Sequence, residues 1–369
     1  MRVLIVSNLD SSRPFGQYTR PFFLGRGLAD LGCVVGHVGV DCRNVDYGPH
    51  WSTGHQGLIA LTRAVRRALR DFRPDVVYAH QNLPSAAGLL ATARVSVPVA
   101  ADFHALPSVE WGALASSTLD RRVSTVSRIK QVQAAGAERI VARRADVVIA
   151  AGDGLAEAIR ERLRTAQDPA IVPNGVPSEF LVAPVGEDPY PSHPRGLRAV
   201  ATIPAGASAA NDAALDFLAD VAAFLRGASR EVSIHVLGTE QPRGLTDLCF
   251  EGLVPSITPW LAHADVCLLP YTSDVPLYGG ARNKLLEYLA LGQRVVTTDE
   301  GLRGFDQAGT WEGVHIAPYD PEAFGRAVLA AGQAQTTLQQ GPSEVRDSLS
   351  WDRGSQQVYG VLSGLVDAS

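Results

Sequence analysis

The residues with the clearest chemical promise lie between Tyr278 and Gly292, in the run Tyr-Gly-Gly-Ala-Arg-Asn-Lys-Leu-Leu-Glu-Tyr-Leu-Ala-Leu-Gly. Gly279 and Gly280 predict an open helix start, and Gly292 predicts its stop, giving a helix over about 280–291. Free N–H groups at a helix start attract anions, and flanking glycines let a phosphate reach the backbone. Arg282 and Lys284, on either side of Asn283, place two cations in that first turn against the helix dipole, so an anion is expected to compensate them. Lys284 and Glu287 are three apart and share a face, while Leu285, Leu286 and Leu289 turn to the core. A carboxylate one turn beyond a phosphate site is placed to accept hydrogen bonds from ribose hydroxyls. An ordinary Lys–Glu surface pair is the plain alternative.

A second polar group ends two apolar runs in the first half of the chain. Asp102 and His104 close the run that starts at Pro98, and His80-Gln81-Asn82 closes the run that starts at Asp75. Strand ends of open α/β sheets are where ligands bind, so His104 and Asp102, and His80, Gln81 and Asn82 beside them, are candidate ligand-site residues. A structural histidine is the competing reading. The sequence has no Ser/His/Asp set, His-x-Glu zinc pattern or Walker loop, and Cys33, Cys42, Cys249 and Cys267 lack metal-ligand spacing. They are expected to be reduced thiols, with no metal site and no cofactor.

Short apolar runs alternate with helix-length amphipathic stretches throughout, the pattern of parallel sheets covered by helices. Strands are expected near 2–7, 34–40, 75–79, 97–102, 146–150 and 170–172, with helices near 17–31, 57–72, 84–93, 121–144 and 153–164. The second half restarts at 197–203, with strands near 232–237, 265–269, 294–298 and 313–316 and helices near 211–226, 256–263, 280–291 and 320–332. An Asp leads straight into a buried strand three times, at Asp75, Asp146 and Asp265. Six prolines between Pro173 and Pro194 read as a linker. The expected domains are 1–175, a linker 176–196, and 197–350, with a helix from Trp351 packing back onto the first.

The chain has 369 residues and a net charge of −5, which divides as +5 over residues 1–180 and −10 over 181–369. Only Lys130 and Lys284 are lysines, against 31 arginines. The run of Arg63, Arg66, Arg67, Arg70 and Arg73 reads as a solvated helix face or a membrane-surface patch. Arg2 to Ser7 runs into a polar loop and lacks a signal peptide's apolar core, which sets the expectation of a cytoplasmic protein, peripheral at the inner membrane face if that patch binds lipid.

The run from Tyr278 resembles the donor-binding helix of family 4 retaining glycosyltransferases of the GT-B fold. Their E-x7-E motif spans this helix, and its second Glu, which binds the nucleotide ribose, corresponds to Glu287. The first falls at Gly279; a subset of the family is similar in carrying Gly-Gly-x-Arg-x-Lys-x-x-Glu. The resemblance extends along the chain. Val3–Ser7, Gly16 and Leu28–Gly32 look like the family's first strand, glycine loop and helix, which would put Gly16 near the donor diphosphate. Asp75–His80 and Pro98–His104 look like acceptor-side strands; the resemblance implies that His104, with Asp102, is catalytic, orienting a hydroxyl or shuttling a proton near the reacting sugars, and that His80, Gln81 and Asn82 meet the acceptor. Ile171–Val176 is similar to the hinge sequence. Gly238, and Phe250 through Gly252 to Val254, look like the turn and base-contacting loop. Where many members carry an Arg and a Lys after the second domain's first strand, this chain has Pro204–Ser208, so the resemblance implies that Arg282 and Lys284 supply that charge.

The fold expected is therefore α/β, GT-B, with two Rossmann-like domains facing across a cleft. The activity implied is metal-independent, retaining transfer of a hexose from a nucleotide diphosphate sugar to an acceptor hydroxyl. That acceptor is unidentified, anionic or membrane-borne, and no nucleic acid partner is expected. A nucleotide-sugar epimerase of the same fold and a non-catalytic nucleotide-sugar-binding partner are the alternatives.

Overall fold

The computed structural model describes the chain apart from residues 11–18, 118–120, 166, 178–185, 191–195, 205–208, 229–230, 243, 274–281, 306–307, 334–344, 346–348 and 369. Of the expected site residues, Gly16, Gly279 and Gly280 lie outside the described residues. The chain divides into two compact units: Met1–Gly175 with Trp351–Ser369, and Val176–Leu277 with Arg282–Ser350.

In the first unit, strands and helices alternate as β1 (Arg2–Val6), α1 (Thr19–Asp30), β2 (Val34–Gly39), β3 (His50–Ser52), α2 (Leu58–Phe72), β4 (Val76–His80), α3 (Asn82–Thr92), β5 (Val99–Phe103), α4 (Pro107–Ser117), α5 (Arg121–Arg144), β6 (Val147–Ala150), α6 (Asp153–Leu163) and β7 (Ala170–Ile171). All seven strands are parallel, in the order β3-β2-β1-β4-β5-β6-β7. Central strands such as β4 and β5 are buried on both faces, which is why they read as unbroken apolar runs. One face packs Ile5, Tyr78, Ala100 and Ile149 against Leu24 and Leu28 of α1 and against Trp351, Val358 and Leu362 of the last helix, Trp351–Asp367. That helix returns to the first unit as expected. Each of its buried anchors contributes about 1.5–3 kcal/mol by leaving water. Gly27 permits the approach, because a Cβ there would meet the Ser355 Oγ at 2.1 Å.

The second unit has strands β8 (Leu197–Thr202), β9 (Val232–Leu237), β10 (Cys249–Gly252), β11 (Val266–Leu269), β12 (Val295–Thr297) and β13 (Val314–Ile316). They too are parallel, in the order β10-β9-β8-β11-β12-β13. Its helices are Ala209–Gly227, Thr258–Ala262, Asn283–Ala290, Asp299–Leu302 and Pro321–Gly332. In both sheets the strand order reverses once, beside β1 and β4 in the first and beside β8 and β11 in the second. Two Rossmann-like α/β units are thus what the sequence pattern encodes.

The recurring Asp before a strand has a physical role. The Asp75 carboxylate accepts from the Arg2 N–H at 2.6 Å, Asp146 from Val99 at 2.8 Å, and Asp265 from Arg198 at 2.7 Å. Each carboxylate therefore ties the start of its own strand to the start of a neighbour, fixing the register of β4 on β1, β6 on β5 and β11 on β8.

Some elements differ from expectation. The helix α4 has no distinct polar face in its sequence Pro-Ser-Val-Glu-Trp-Gly-Ala-Leu-Ala-Ser-Ser, so a periodicity reading passes over it. Residues 250–252, expected as loop, belong to the edge strand β10, whose register shifts between Phe250 and Gly252. The described part of the helix expected from 280 starts at Asn283 and ends at Ala290, with Gly292 at φ +71°. Within the stretch expected as linker, Tyr190 is fully buried and donates to the Trp260 carbonyl at 2.7 Å. The four cysteines are free thiols, and all but Cys249 are buried.

Candidate functional site

The first unit gathers its polar side chains at the C-terminal ends of β4 and β5. Parallel register sets Tyr78 beside Ala100 and His80 beside Asp102, so Tyr78, His80 and Asp102 share the sheet face that α1 covers. Asp102 is fully buried and is the hub. It accepts from the Arg20 Nε at 3.2 and 3.1 Å, pairs with the Arg20 Nη2 at 3.0 Å, and takes a short hydrogen bond from the Tyr78 hydroxyl. Arg20 Nη1 also donates to the Pro173 carbonyl at 3.2 Å and to the Asn174 Oδ1 at 3.1 Å. Burial pushes the Asp102 carboxyl up, while Arg20 and Tyr78 pull it down.

His80 and His104 meet through Nδ1 and Nε2 at 2.9 Å, which requires one ring to donate and the other to accept. Burial and then neighbouring positive charge hold both imidazoles well below their ordinary range, so they are neutral. Their nearest approaches to Asp102 are 3.9 and 3.6 Å. Of this cluster only the His104 side chain keeps notable exposure, at 11%. Asp102, expected as a catalytic partner of His104, has its carboxylate occupied by Arg20 and Tyr78, and His104 is the more exposed of the two. Gln81 sits at φ +72°, donates its N–H to the Asp102 carbonyl at 2.7 Å and keeps a buried Oε1 with no partner. Such backbone strain in a non-glycine residue is common at ligand sites. The Asn82 side chain accepts from the Leu83 N–H at 2.7 Å and opens α3.

His80, Asp102 and His104 are of metal-ligand type, with ligand atoms within 4.8 Å of one another, the one such group among the described residues. They fit a cation poorly. The Arg20 guanidinium already lies on the carboxylate, and the two imidazole nitrogens are hydrogen-bonded to each other. Arg20 and Tyr78 escaped the sequence reading. An arginine inside the apolar stripe of α1, followed by Pro-Phe-Phe-Leu, is the signal that could have found the first.

In the second unit, the polar groups lie where the strand order reverses, the crevice that binds ligands in open α/β sheets. Thr202 ends β8, Tyr271 follows β11, and the helix Asn283–Ala290 follows in turn. Lys284 Nζ donates to the Tyr271 hydroxyl at 2.7 Å. Arg282 lies over the Tyr271 ring, 4.0 Å from its centroid. Burial raises the Tyr271 phenol, but Lys284 and Arg282 outweigh it and bring its pKa below the ordinary value. Thr298 holds the backbone at Tyr271 by donating to its carbonyl at 2.5 Å.

The two expected cations have different fates. Arg282 donates to the Glu300 carbonyl at 2.9 Å and pairs with its carboxylate at 3.0 Å, and Glu300 also pairs with Arg303 at 2.8 Å. The anion inferred for Arg282 is thus supplied by the protein, by a Glu whose only sequence signal is its place just after β12. Among the described residues, Lys284 meets no carboxylate in an ion pair. Glu287 is half-buried, and desolvation, opposed by Lys284, lifts its pKa to about 7. The Asn283 Oδ1 and Thr202 Oγ1 are buried without partners. Gly238, at φ +96°, donates to the Gly252 carbonyl at 2.7 Å, and a Cβ there would meet the Ile203 carbonyl at 3.0 Å. Gly252 and Val254 stand at and beyond the end of β10, neighbouring strand β9 that Gly238 follows.

Comparisons agree with these two units. Residues 16–175 match the glycosyl transferase 4-like domain, and residues 202–333 match glycosyl transferases group 1. Sucrose-phosphate synthase from Thermosynechococcus elongatus is 15% identical with a TM-score of 0.73, covering 100% of this chain and 99% of its own. HepE from Anabaena, in complex with UDP and glucose, is 14% identical with a TM-score of 0.73, covering 99% and 100%. A glycosyltransferase from Rickettsia africae is 12% identical with a TM-score of 0.70, covering 100% and 99%. No curated protein matches the sequence. The chain is a glycosyltransferase of the GT-B fold, joining a glycosyl transferase 4-like domain to a domain of glycosyl transferases group 1.

Proposed function

We propose that this enzyme transfers a hexose, with retention of anomeric configuration and without a metal ion, from a nucleotide diphosphate sugar to an acceptor hydroxyl. One observation carries the reading. At the start of the helix Asn283–Ala290, Lys284 hydrogen-bonds Tyr271 and makes no ion pair with a carboxylate among the described residues, and Glu287 lies one turn on. A diphosphate would supply the missing anion, and a ribose would supply donors to Glu287. Structures of HepE hold UDP and UDP-glucose, which favours such a donor here.

In this mechanism the departing phosphate gathers negative charge, and Lys284 with the helix N–H groups stabilises it in place of a metal. Arg282, held by Glu300, positions Tyr271 and through it Lys284. Asn283, Thr202, Gly238 and Gly252 with Val254 would line the donor, the glycines allowing close backbone approach. His104, neutral and reachable, orients a sugar hydroxyl, with His80 and Gln81 beside it. Attack from the same face as the leaving phosphate accounts for retention without a carboxylate nucleophile.

A thermal-shift screen of nucleotides and their sugars should single out one nucleotide diphosphate series, since a specific ligand stabilises in proportion to its affinity. Turnover of that donor across an acceptor panel, with the product anomer read by proton NMR, should give a retained linkage in the presence of EDTA. An inverted product, or loss in EDTA restored by magnesium, would contradict the mechanism. Donor turnover without acceptor would point to epimerisation.

A further inference from the structure

Every large apolar side chain exposed on a helix has a reason to be sought, and α5 carries more of them than any other described element. Val126, Ile129, Val132 and Ile140 are 50, 54, 71 and 59% exposed. The helix is anchored by its opposite side. Ser127, Ala134, Glu138, Val141 and Ala142 are buried, Glu138 accepts from the Ser108 N–H at 2.8 Å, and Lys130 lies 4.1 Å over the Trp111 ring. At 3.6 residues per turn, positions 129, 132 and 140 fall opposite the buried Ser127, Ala134, Glu138 and Val141, and Val126 lies at the edge of that side, next to Lys130.

Charge decides what would cover this side. Among its 24 residues α5 has Arg121, Arg122, Arg128, Lys130, Arg139, Arg143 and Arg144, and its single acid, Glu138, is buried. A second copy meeting this face about a two-fold axis would set like charges against each other. A nucleic acid would use the arginines and leave the valine and isoleucine stripe without a partner. An apolar stripe flanked by arginines suits the boundary between acyl chains and anionic headgroups, where the stripe enters and the guanidinium stems extend toward phosphate. We infer that α5 seats the protein on an anionic lipid bilayer through Val126, Ile129, Val132 and Ile140.

The arginines of α2, which the sequence offered for that role, have a different setting. Arg63, Arg66, Arg67 and Arg70 are exposed, but Arg67 pairs with Asp71 at 3.5 Å and Arg66 donates to the Leu90 carbonyl at 3.2 Å. Ile59 is the large apolar residue exposed on that helix. No helix among the described residues is long and apolar enough to cross a membrane. The attachment is therefore to a surface. This inference goes beyond the donor reading and needs none of it.

The test is co-sedimentation of the full chain with vesicles of phosphatidylcholine alone or with phosphatidylglycerol added. Wild type should bind the mixed vesicles at least about tenfold more strongly than the neutral ones, and less as salt shortens the Debye length. The variant Val126→Ser/Ile129→Ser/Ile140→Ser should lose at least about tenfold on mixed vesicles. Arg63→Ala/Arg66→Ala/Arg70→Ala should retain nearly all of it. Thermal stabilisation by the nucleoside diphosphate that the screen selects, measured on the same proteins, should not change, which separates failure of the membrane assignment from failure of the donor assignment. A Val132→Cys protein in a Cys249→Ser background, labelled with an environment-sensitive fluorophore, should shift to the blue on mixed vesicles, and needs no loss of apolar surface. Wild type that ignores mixed vesicles, a serine variant that binds as wild type, an unshifted probe, or a concentration-dependent dimer dissolved by the serine variant in place of vesicle binding would each overturn the inference.

Discussion

The Asp102 cluster of the first unit and the Lys284 cluster of the second occupy comparable places, at strand ends beside the reversal of strand order. They settle their charges in opposite ways. Arg20 and Asp102 cancel within 3.2 Å, Tyr78 adds a hydrogen bond, and both histidines are held neutral. Nothing further is required there for electrical balance. Lys284, by contrast, meets a phenol, and Glu287 sits part-way between acid and carboxylate at about 7. A closed cluster shapes and orients; a cluster with unsettled charge is built to be completed by a ligand. The same contrast divides the second cluster internally, since Glu300 settles Arg282 and leaves Lys284 unsettled.

The largest effect that would test this contrast is on stability. Asp102→Ala leaves the Arg20 guanidinium buried at 3% exposure without its counter-ion, which should cost about 3–5 kcal/mol in urea unfolding. Loss of less than ~1 kcal/mol would mean that the network is not closed as described. Glu287→Ala, in the open cluster, should not destabilise the fold, since it removes a carboxylate whose burial raises its pKa, and should weaken the nucleotide diphosphate sugar by about 1.5–3 kcal/mol, a ten- to hundredfold rise in Kd. An unchanged Kd in the folded variant would remove Glu287 from the ribose.

The pH dependence follows with a definite sign. A carboxyl with a folded pKa of about 7 is protonated below it, so ribose binding to the carboxylate should strengthen as pH rises through 7. Because the folded value exceeds the unfolded one, Glu287 favours folding below the ordinary carboxyl range and loses that contribution as pH rises through about 7. Glu287→Gln should flatten both slopes; a wild-type donor affinity level between pH 6 and 8 would contradict the assignment. Tyr271→Phe should produce the smallest effect, a loss of about 0.5–1.5 kcal/mol in donor binding from releasing Lys284. A loss as large as that of Glu287→Ala would make the phenol itself a donor contact.

How far the sequence revealed this follows from which residues announce themselves locally. Asp75, Asp146 and Asp265 marked strand starts because each carboxylate must ride beside the first N–H of a neighbouring strand, a constraint that leaves the same short signature each time. Gly292 marked a helix end through its left-handed backbone. Glu287 and Lys284 share one helix face, so three-residue spacing sufficed to place them together. Arg20 and Asp102, 82 positions apart, become partners only when α1 folds over β4 and β5, and no periodicity links them. Glu300 was missed for the same reason, since it reaches Arg282 across 18 positions from the neighbouring strand end. Local rules therefore found Asp102, Arg282, Lys284 and Glu287 and missed Arg20 and Glu300, the counter-ions of the first two.

Titration of Lys284→Ala and wild type with the nucleoside diphosphate that the thermal-shift screen selects, and with its free nucleoside, tests the central contrast most directly. If Lys284 is the unsettled charge that a diphosphate completes, the variant should lose at least about tenfold in affinity for the diphosphate and keep its affinity for the nucleoside. An unchanged diphosphate affinity, or an equal loss for both ligands, would contradict the account.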